Sequence, residues 1–344
     1  MHIMRHYQDR ALTYDDIQLV PAYSDIESRK TIDLTTDLTT NYKIMVPLIA
    51  SPMDTVCDSE MAIAIAELGG IGCIHRFMSI EEQAKEVEKV KAYVSVMENA
   101  TQHVMAAVGA NGDYLERTQE LVKAGANIIL IDVAHGYHSF VKNAITKIKN
   151  NFPAVDVIAG NIATAEAAEA LQDWGADALR VGIGGGSLCT TRIKTGFGVP
   201  NITSLEDVVS VTKIPVIACG GIRSSGDIAK ALAVGADSVI LGSLIAGTKE
   251  APGKIIEKQN GLYKRYRGAA SLETKSIHGQ ETRNVEGEST IVPFKGGVKF
   301  IIDGLMDGLR SALSYAGAQS IKEFNPEYVV VTAAGMNEAK PHLL

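Results

Sequence analysis

The chain has 344 residues, 46% hydrophobic and 21% charged, which suits one large globular domain or two small ones and excludes a disordered tail protein. Its formal charge is −7 and no run of lysines and arginines is long enough for a nucleic-acid stripe, so no nucleic-acid partner is expected. No segment approaches the roughly 18–20 unbroken apolar residues of a membrane span. The opening MHIMRHYQDRALTYDDIQLV lacks a signal-peptide core, so no membrane partner and a cytoplasmic location are expected.

In chain order, short apolar and mostly β-branched runs recur: VPLIAS (46–51), IGCIH (71–75), VMAAVG (104–109), IILIDV (128–133), DVIAG (156–160), ALRVGI (178–183), PVIACG (215–220) and SVILG (238–242). Unbroken runs of this length suit strands covered on both faces, as parallel strands are. Helical patterns lie between them, among them DSEMAIAIAELGG, LERTQELVKAGA, TAEAAEALQDWGA, SLEDVVSVTK and SGDIAKALAVGA. Asp58, Thr164, Ser204 and Ser225 are the expected N-caps. A weak repeat, AGANIILID, WGADALRVG and VGADSVILG, closes a helix with glycine and begins a strand each time.

These alternations predict an α/β fold, a (β/α)8 TIM barrel of one domain over 1–344, with a doubly wound open sheet as the alternative. In such a barrel the active site lies at the C-terminal strand ends. The residues following the runs are Ser51-Pro52-Met53-Asp54, His75-Arg76, Asp132 to Gly136, Gly160-Asn161, the loop after Gly182, Cys219-Gly220-Gly221 and Gly242-Ser243.

Loops after the seventh and eighth strands of a barrel often hold a phosphate on backbone N–H groups, so Ser187, Gly220, Gly221, Gly242 and Ser243 read as a phosphate site. Ordinary turn chemistry also explains such glycines. Cys57, Cys73, Cys189 and Cys219 are scattered without C-x-x-C pairing, which fits free thiols. Cys189 sits in the glycine-rich GIGGGSLCTTRIKTGFG (182–198), where a thiol beside Arg192 could form a nucleophilic thiolate; a loop cysteine without function is the plainer reading. The hydroxyls of Thr190 and Thr191 could relay protons or merely satisfy the loop backbone.

Further on, the polar YRGAASLETKSIHGQETRNVEGESTIVPFKGG has a middle, about 272–290, too long for a tight turn. It reads as a mobile flap over the barrel mouth, with Arg283 and Glu286 as its candidates for chemistry, or as a solvated charged loop.

LTYDDIQLVP (12–21), SPMDTV (51–56), DVAHG (132–136), AGN (159–161), GSLCTTR (186–192), GSLIAG (242–247) and GLRSALSYAGA (308–318) together resemble the family shared by IMP dehydrogenase and GMP reductase, in order over nearly the whole chain. The resemblance implies a barrel, usually a homotetramer, that binds a purine nucleoside monophosphate and a nicotinamide cofactor. It makes Cys189 the nucleophile at purine C2, with Thr191 and Glu286 as its catalytic partners. Ser51, Met53, Ser187, Cys219, Gly220, Gly221, Gly242, Ser243, Tyr266, Gly268, Arg283 and Gly287 would contact substrate, and Arg76, Asp132, Asn161 and Gly184 the cofactor. Carbonyls of Gly184, Gly186 and Cys189 would hold a monovalent cation such as K+.

Within the family, RNVEG and RIKTGFG resemble the reductase branch, which uses NADPH to convert GMP to IMP and ammonia. GTKEAPG (247–253) and YRG (266–268) resemble the dehydrogenase branch, which uses NAD on IMP. The CBS insertion typical of dehydrogenases is absent after the second helix, and Arg283 is followed by Asn284 where that branch has an arginine–tyrosine pair. A catalytically weak nucleotide-binding protein is a third possibility. Two positions depart from the family: Gly185 replaces a proline, which should loosen the cysteine loop. Cys219 replaces an aspartate that grips the ribose hydroxyls, which should relax the demand for a 2′-hydroxyl and admit dGMP.

Overall fold

The computed structural model describes residues 10–277 and 285–338. All eight predicted runs form strands: β1 (Leu48–Ala50), β2 (Ile71–Ile74), β3 (Met105–Val108), β4 (Ile128–Asp132), β5 (Asp156–Ile162), β6 (Ala178–Val181), β7 (Val216–Cys219) and β8 (Ser238–Leu241). They pair in parallel in sequence order, and β8 closes on β1 through Val239–Leu48, Ile240–Ile49 and Leu241–Ala50. That closure excludes the open sheet.

The outer layer contains α1 (Ser59–Glu67), α2 (Ile80–Val94), α3 (Tyr114–Lys123), α4 (Ser139–Asn151) and α5 (Ala165–Asp173). It continues with the short α6 (Thr191–Thr195), α7 (Asn201–Val209) and α8 (Ser225–Ala233). Asp58 and Thr164 cap α1 and α5 as expected, each accepting backbone N–H groups of the first turn. Two expected caps are displaced. Pro200 takes the cap position of α7, which puts Ser204 inside the helix, where its hydroxyl donates to the Val199 carbonyl. Ser224 has the extended backbone a cap needs and accepts from Asp227 N–H, leaving Ser225 as the first helical residue.

The sequence repeat has a structural counterpart. Its glycines, Gly125, Gly175 and Gly235, stand at φ of 107°, 101° and 97° and turn the chain out of each helix. Two residues later, Asn127, Asp177 and Asp237 accept the N–H groups of Val104, Val157 and Val216 at 2.8, 2.7 and 2.7 Å. Each thereby fixes the start of the preceding strand.

Two apolar cores result. One lies between barrel and helices; the other fills the barrel with Ile49, Ile71, Cys73, Met105, Ile128, Leu130, Ile158, Ala178, Ile217 and Ile240. At the amino-terminal end the antiparallel pair Thr36–Asp37 and Lys43–Ile44 acts as a stopper, inserting Leu38 and holding Asp156 through Thr39 Oγ1 and Asn41 Nδ2.

At the opposite end, the expected irregular flap has ordered flanks. The strands β9 (Ile256–Lys258), β10 (Gly261–Arg267) and β11 (Ser289–Pro293) form an antiparallel sheet, and α9 (Leu272–Ile277) follows β10. Arg283 lies outside the described residues. The long α10 (Val298–Ala316) packs against α8 and α1, completing the outer ring. Only residues 95–104 join α2 to β3, with no inserted module. Among the described residues no helix is long and apolar enough to cross a membrane.

Candidate active site

Side chains alternate along a strand, so the inward positions of the barrel core continue toward the mouth as Asp132, Gly160, Arg180 and Cys219. Arg180 is nearly buried and donates to Asp132 Oδ1 at 2.6 Å through Nη1 and to Cys219 Sγ at 3.1 Å through Nε. Burial opposes its charge, but Cys219 and Asp132 hold its pKa above the usual arginine value. Gly160 leaves the space it needs, since a Cβ there would lie 2.6 Å from Arg180 Cβ. Asp132 also faces Arg76 at 3.6 Å, and the Arg76 guanidinium lies 4.9 Å from the centroid of the Phe77 ring. Asn161 donates to the Gly182 carbonyl at 2.7 Å, tying β5 to the base of the cysteine loop.

In that loop the thiol of Cys189 donates to Thr191 Oγ1 at 3.2 Å, and Thr191 Oγ1 donates to Glu286 Oε2 at 2.8 Å. The pairing is braced by backbone. Thr190 N–H donates to Glu286 C=O at 3.0 Å, Glu288 N–H to Leu188 C=O at 2.9 Å, and Cys189 bridges Gly287. Arg192, expected to favour a thiolate, instead donates to the carbonyls of Ile183 and Val199. It holds the two ends of the loop together, and Thr191 is the polar group beside the thiol.

At the far side of the cleft Ser187 Oγ and Tyr266 Oη are 3.1 Å apart, and burial raises the Tyr266 pKa. Gly242 and Ser243 open a helical turn in which Ala246 N–H donates to the Gly242 carbonyl at 2.9 Å. Beside Tyr266, Arg267 pairs with both oxygens of the buried Asp54 and with Glu273, tying the root of the flap to the β1 loop. Gly268 N–H donates to Glu288 C=O at 2.9 Å and so joins the two flanks of the flap.

One cavity of about 360 Å³ is lined by Ser51, Met53, Arg76, Asp132, Asn161, Gly184, Gly186, Ser187, Cys189, Thr191, Cys219, Gly220, Gly221, Gly242, Ser243, Tyr266, Gly268, Glu286 and Gly287. The structure thus brings together every residue that the resemblance assigns to the site except Arg283, whereas Thr190 and Arg192 do not line the cavity. Sequence reasoning missed Arg180 and Lys275, which also line it. Arg180 had a legible signal, a charge inside the apolar run ALRV; Lys275, in a polar flap helix, had none. Among the described residues no cluster of three His, Cys, Asp or Glu side chains could hold a metal ion. The Gly186 carbonyl accepts Cys189 N–H at 3.1 Å, so one of the three carbonyls expected to hold a cation is engaged within the loop.

A closed parallel barrel whose strand ends carry a cysteine–threonine–glutamate chain in a glycine-lined cleft has the organisation of a barrel enzyme. The IMP dehydrogenase / GMP reductase domain model matches residues 11–342, and the chain belongs to that family. It is 41% identical to the inosine-5′-monophosphate dehydrogenase of Borreliella burgdorferi (strain ATCC 35210 / DSM 4680 / CIP 102532 / B31), over 96% of each chain. It is 36% identical to the protein of that name from Nitrosopumilus maritimus (strain SCM1), over 96% of this chain and 98% of the relative. That alignment spans 465 positions against 344 residues here, so the relative carries segments this chain lacks. Among solved structures, GMP reductase C318A from Trypanosoma brucei in complex with guanosine 5′-monophosphate matches with a TM-score of 0.92 at 31% identity, over 97% of this chain and 98% of that one. The chain is accordingly an oxidoreductase of a family that uses nicotinamide cofactors and binds purine nucleoside monophosphates.

Proposed function

We propose that the protein catalyses the NADPH-dependent reductive deamination of GMP, or of dGMP, to IMP or dIMP and ammonia through a covalent Cys189 adduct at purine C2. The observation that carries this reading is the chain Cys189 Sγ to Thr191 Oγ1 to Glu286 Oε2, at 3.2 and 2.8 Å. It runs donor to acceptor from the thiol to the carboxylate. Glu286 can therefore draw the thiol proton through the Thr191 hydroxyl as Sγ bonds to C2. Run in reverse, the same chain returns the proton to the amine, which departs as ammonia when its bond to C2 breaks. The nicotinamide would supply, when bound, the hydride that displaces Sγ from C2, freeing the Cys189 thiolate and leaving hydrogen where the amine stood. The resident chain contributes nucleophile, proton store and relay.

For the cofactor, a second cleft of about 560 Å³ adjoins the first at Arg76 and is lined by Phe77, Ser79, Asn111, Asp113 and Arg117. Arg76 joins the two clefts and is held there by Asp132, whose Oδ2 lies 3.6 Å from its Nε, so its guanidinium is placed beside any ligand that passes between them. Asp132, which faces Arg76, lines the main cavity together with Asn161 and Gly184. A monovalent cation on the carbonyls of Gly184, Gly186 and Cys189 is proposed on the resemblance alone; the Gly186 carbonyl, which accepts Cys189 N–H, keeps a second lone pair for it. A homotetramer is proposed on the resemblance alone; sedimentation would test it.

The sugar reading rests on Cys219. The carboxylates lining the cavity, Asp132 and Glu286, are engaged by Arg180 and by Thr191, and Cys219 Sγ accepts from Arg180. No uncommitted carboxylate lines the cavity among the described residues, so the site is poorly equipped to hold a ribose diol. A GMP preference over dGMP of about a hundredfold or more in kcat/KM, or roughly 2.7 kcal/mol, would sink this part.

The second reading, an IMP dehydrogenase using NAD, is favoured by the names of the curated relatives. Following reduced-nicotinamide absorbance separates the two: it falls with GMP and NADPH for the reductase, and rises with IMP and NAD for the dehydrogenase. Silence in both with nucleotide still bound supports a binding protein. Cys189→Ala should abolish turnover and leave nucleotide binding nearly intact.

A further inference from the structure

The loop after β6, which carries Cys189, and the loop after β7, which carries Gly220 and Gly221, touch backbone to backbone. A Cβ on Gly220 would lie 2.9 Å from Gly186 N and 3.0 Å from the Gly185 carbonyl carbon. Between them sits the carboxamide of Asn201, the first residue of α7, 7% exposed. Its Nδ2 donates to the Gly220 carbonyl at 2.8 Å. A Cβ on Gly185 would lie 2.6 Å from both Nδ2 and Oδ1, and one on Gly221 would lie 2.8 Å from Nδ2. Asn201 is thus a wedge fitted to glycines of both loops, which accounts for the small residue at position 185 by packing.

The wedge is incompletely satisfied. Asn201 and the 3% exposed Tyr14 interact side chain to side chain, yet Asn201 Oδ1 and the Tyr14 hydroxyl, both buried, fall short of a well-formed hydrogen bond. Both residues line a cavity of about 240 Å³ that shares Gly185, Ser187, Gly221 and Ser243 with the main cleft. Incompletely bonded buried polar groups are unfavourable, so a small shift of these loops that completed the Tyr14–Asn201 hydrogen bond would be favoured. An anion seated on the N–H groups near Gly220 and Gly221 is placed to cause such a shift, and Asn201 would carry it to Gly185 and so to Cys189.

We infer that Asn201 is a positioning residue that couples occupancy of the anion cradle after β7 to the geometry of the Cys189 loop. The cradle then acts as an activator site for a phosphate-type dianion, separable from the nucleoside. This rests on the reading of the cleft as a nucleoside monophosphate site. Remote binding energy used in this way appears in kcat as well as in KM.

The test supplies the substrate in two pieces to the full chain. With whichever monophosphate turns over, its nucleoside (guanosine with NADPH, or inosine with NAD) is assayed while phosphite is titrated in. Phosphite should raise nucleoside turnover saturably, by about tenfold or more. In Asn201→Ala that activation should fall below about twofold, with kcat for the monophosphate down roughly tenfold and phosphite affinity, read by calorimetry, changed by less than about threefold. Flat or inhibited turnover on adding phosphite overturns the inference, as does activation that survives in N201A.

The second readout is the rate at which iodoacetamide alkylates Cys189, followed by mass spectrometry. If neither monophosphate turns over, the reaction reading fails and alkylation alone decides the coupling. Phosphite should then change the rate by about threefold or more in the unaltered chain and leave it unchanged in N201A; no change in the unaltered chain overturns the coupling. Should N201A not fold, Asn201→Ser takes its place in both readouts, with the same outcomes expected.

Discussion

Glu286 reaches Cys189 only through the hydroxyl of Thr191, so deleting that oxygen while keeping its shape is the most direct test of the relay. Thr191→Val should lower kcat by about 10²–10⁴ with little change in KM, and Glu286→Gln should do the same; if Thr191→Val retains near-normal kcat, the relay is not used. Asp237 poses a different question, because burial pushes its carboxyl up to about 6, with Asp37 adding to the rise. Its folded pKa lies above the unfolded value. The folded chain therefore holds a proton that the unfolded chain releases between about pH 4 and 6, and stability falls as pH rises through that window. Asp237→Asn keeps an acceptor for Val216 N–H, as Asn127 does for Val104, and removes the charge. It should stabilise by about 1–2 kcal/mol at pH 7.5 and by almost nothing at pH 3, measured by urea unfolding.

Arg267 links β10 to the buried Asp54 and to Glu273, so Arg267→Leu removes both ion pairs from the root of the flap. A loss of about 1.5–3 kcal/mol is expected in thermal unfolding, with proteolytic cleavage appearing first in residues 256–277; unaltered stability and cleavage would show that the pair does not anchor the flap. The barrel strands were legible in sequence because both their faces are covered, which makes them continuous apolar runs. The antiparallel β9 to β11 were not, because lysine and arginine interrupt strands such as GLYKRYR, which therefore show no apolar run. The caps of α7 and α8 were misplaced for another reason. A serine next to a helix is ambiguous until backbone angles select among neighbours, as they select Pro200 and Ser224. Most of the candidate site followed once the strand ends were located. Asn201 and Tyr14 act through contacts between loops far apart in sequence, which no local pattern encodes.

Across the molecule, the four thiols divide by depth. Cys57 and Cys73 are fully buried and burial raises both pKa values, whereas Cys189 and Cys219 border the cleft. A thiol reagent should modify Cys189 in the folded chain and reach Cys57 and Cys73 only on global unfolding, so their labelling rate should follow denaturant-induced unfolding. Early labelling of Cys73 would mean that the barrel opens locally. The stopper formed by Thr36–Ile44 makes the barrel a cup and not a tube. Whatever reacts above Cys189 must enter and leave by one lip, and the cleft beyond Arg76 branches from that lip. Traffic through a single doorway has an order. On the proposed reading the nucleotide settles first and the dinucleotide lies across it, so a redox-inert dinucleotide analogue should inhibit uncompetitively against GMP, and a mixed pattern would mean that the two pass each other freely.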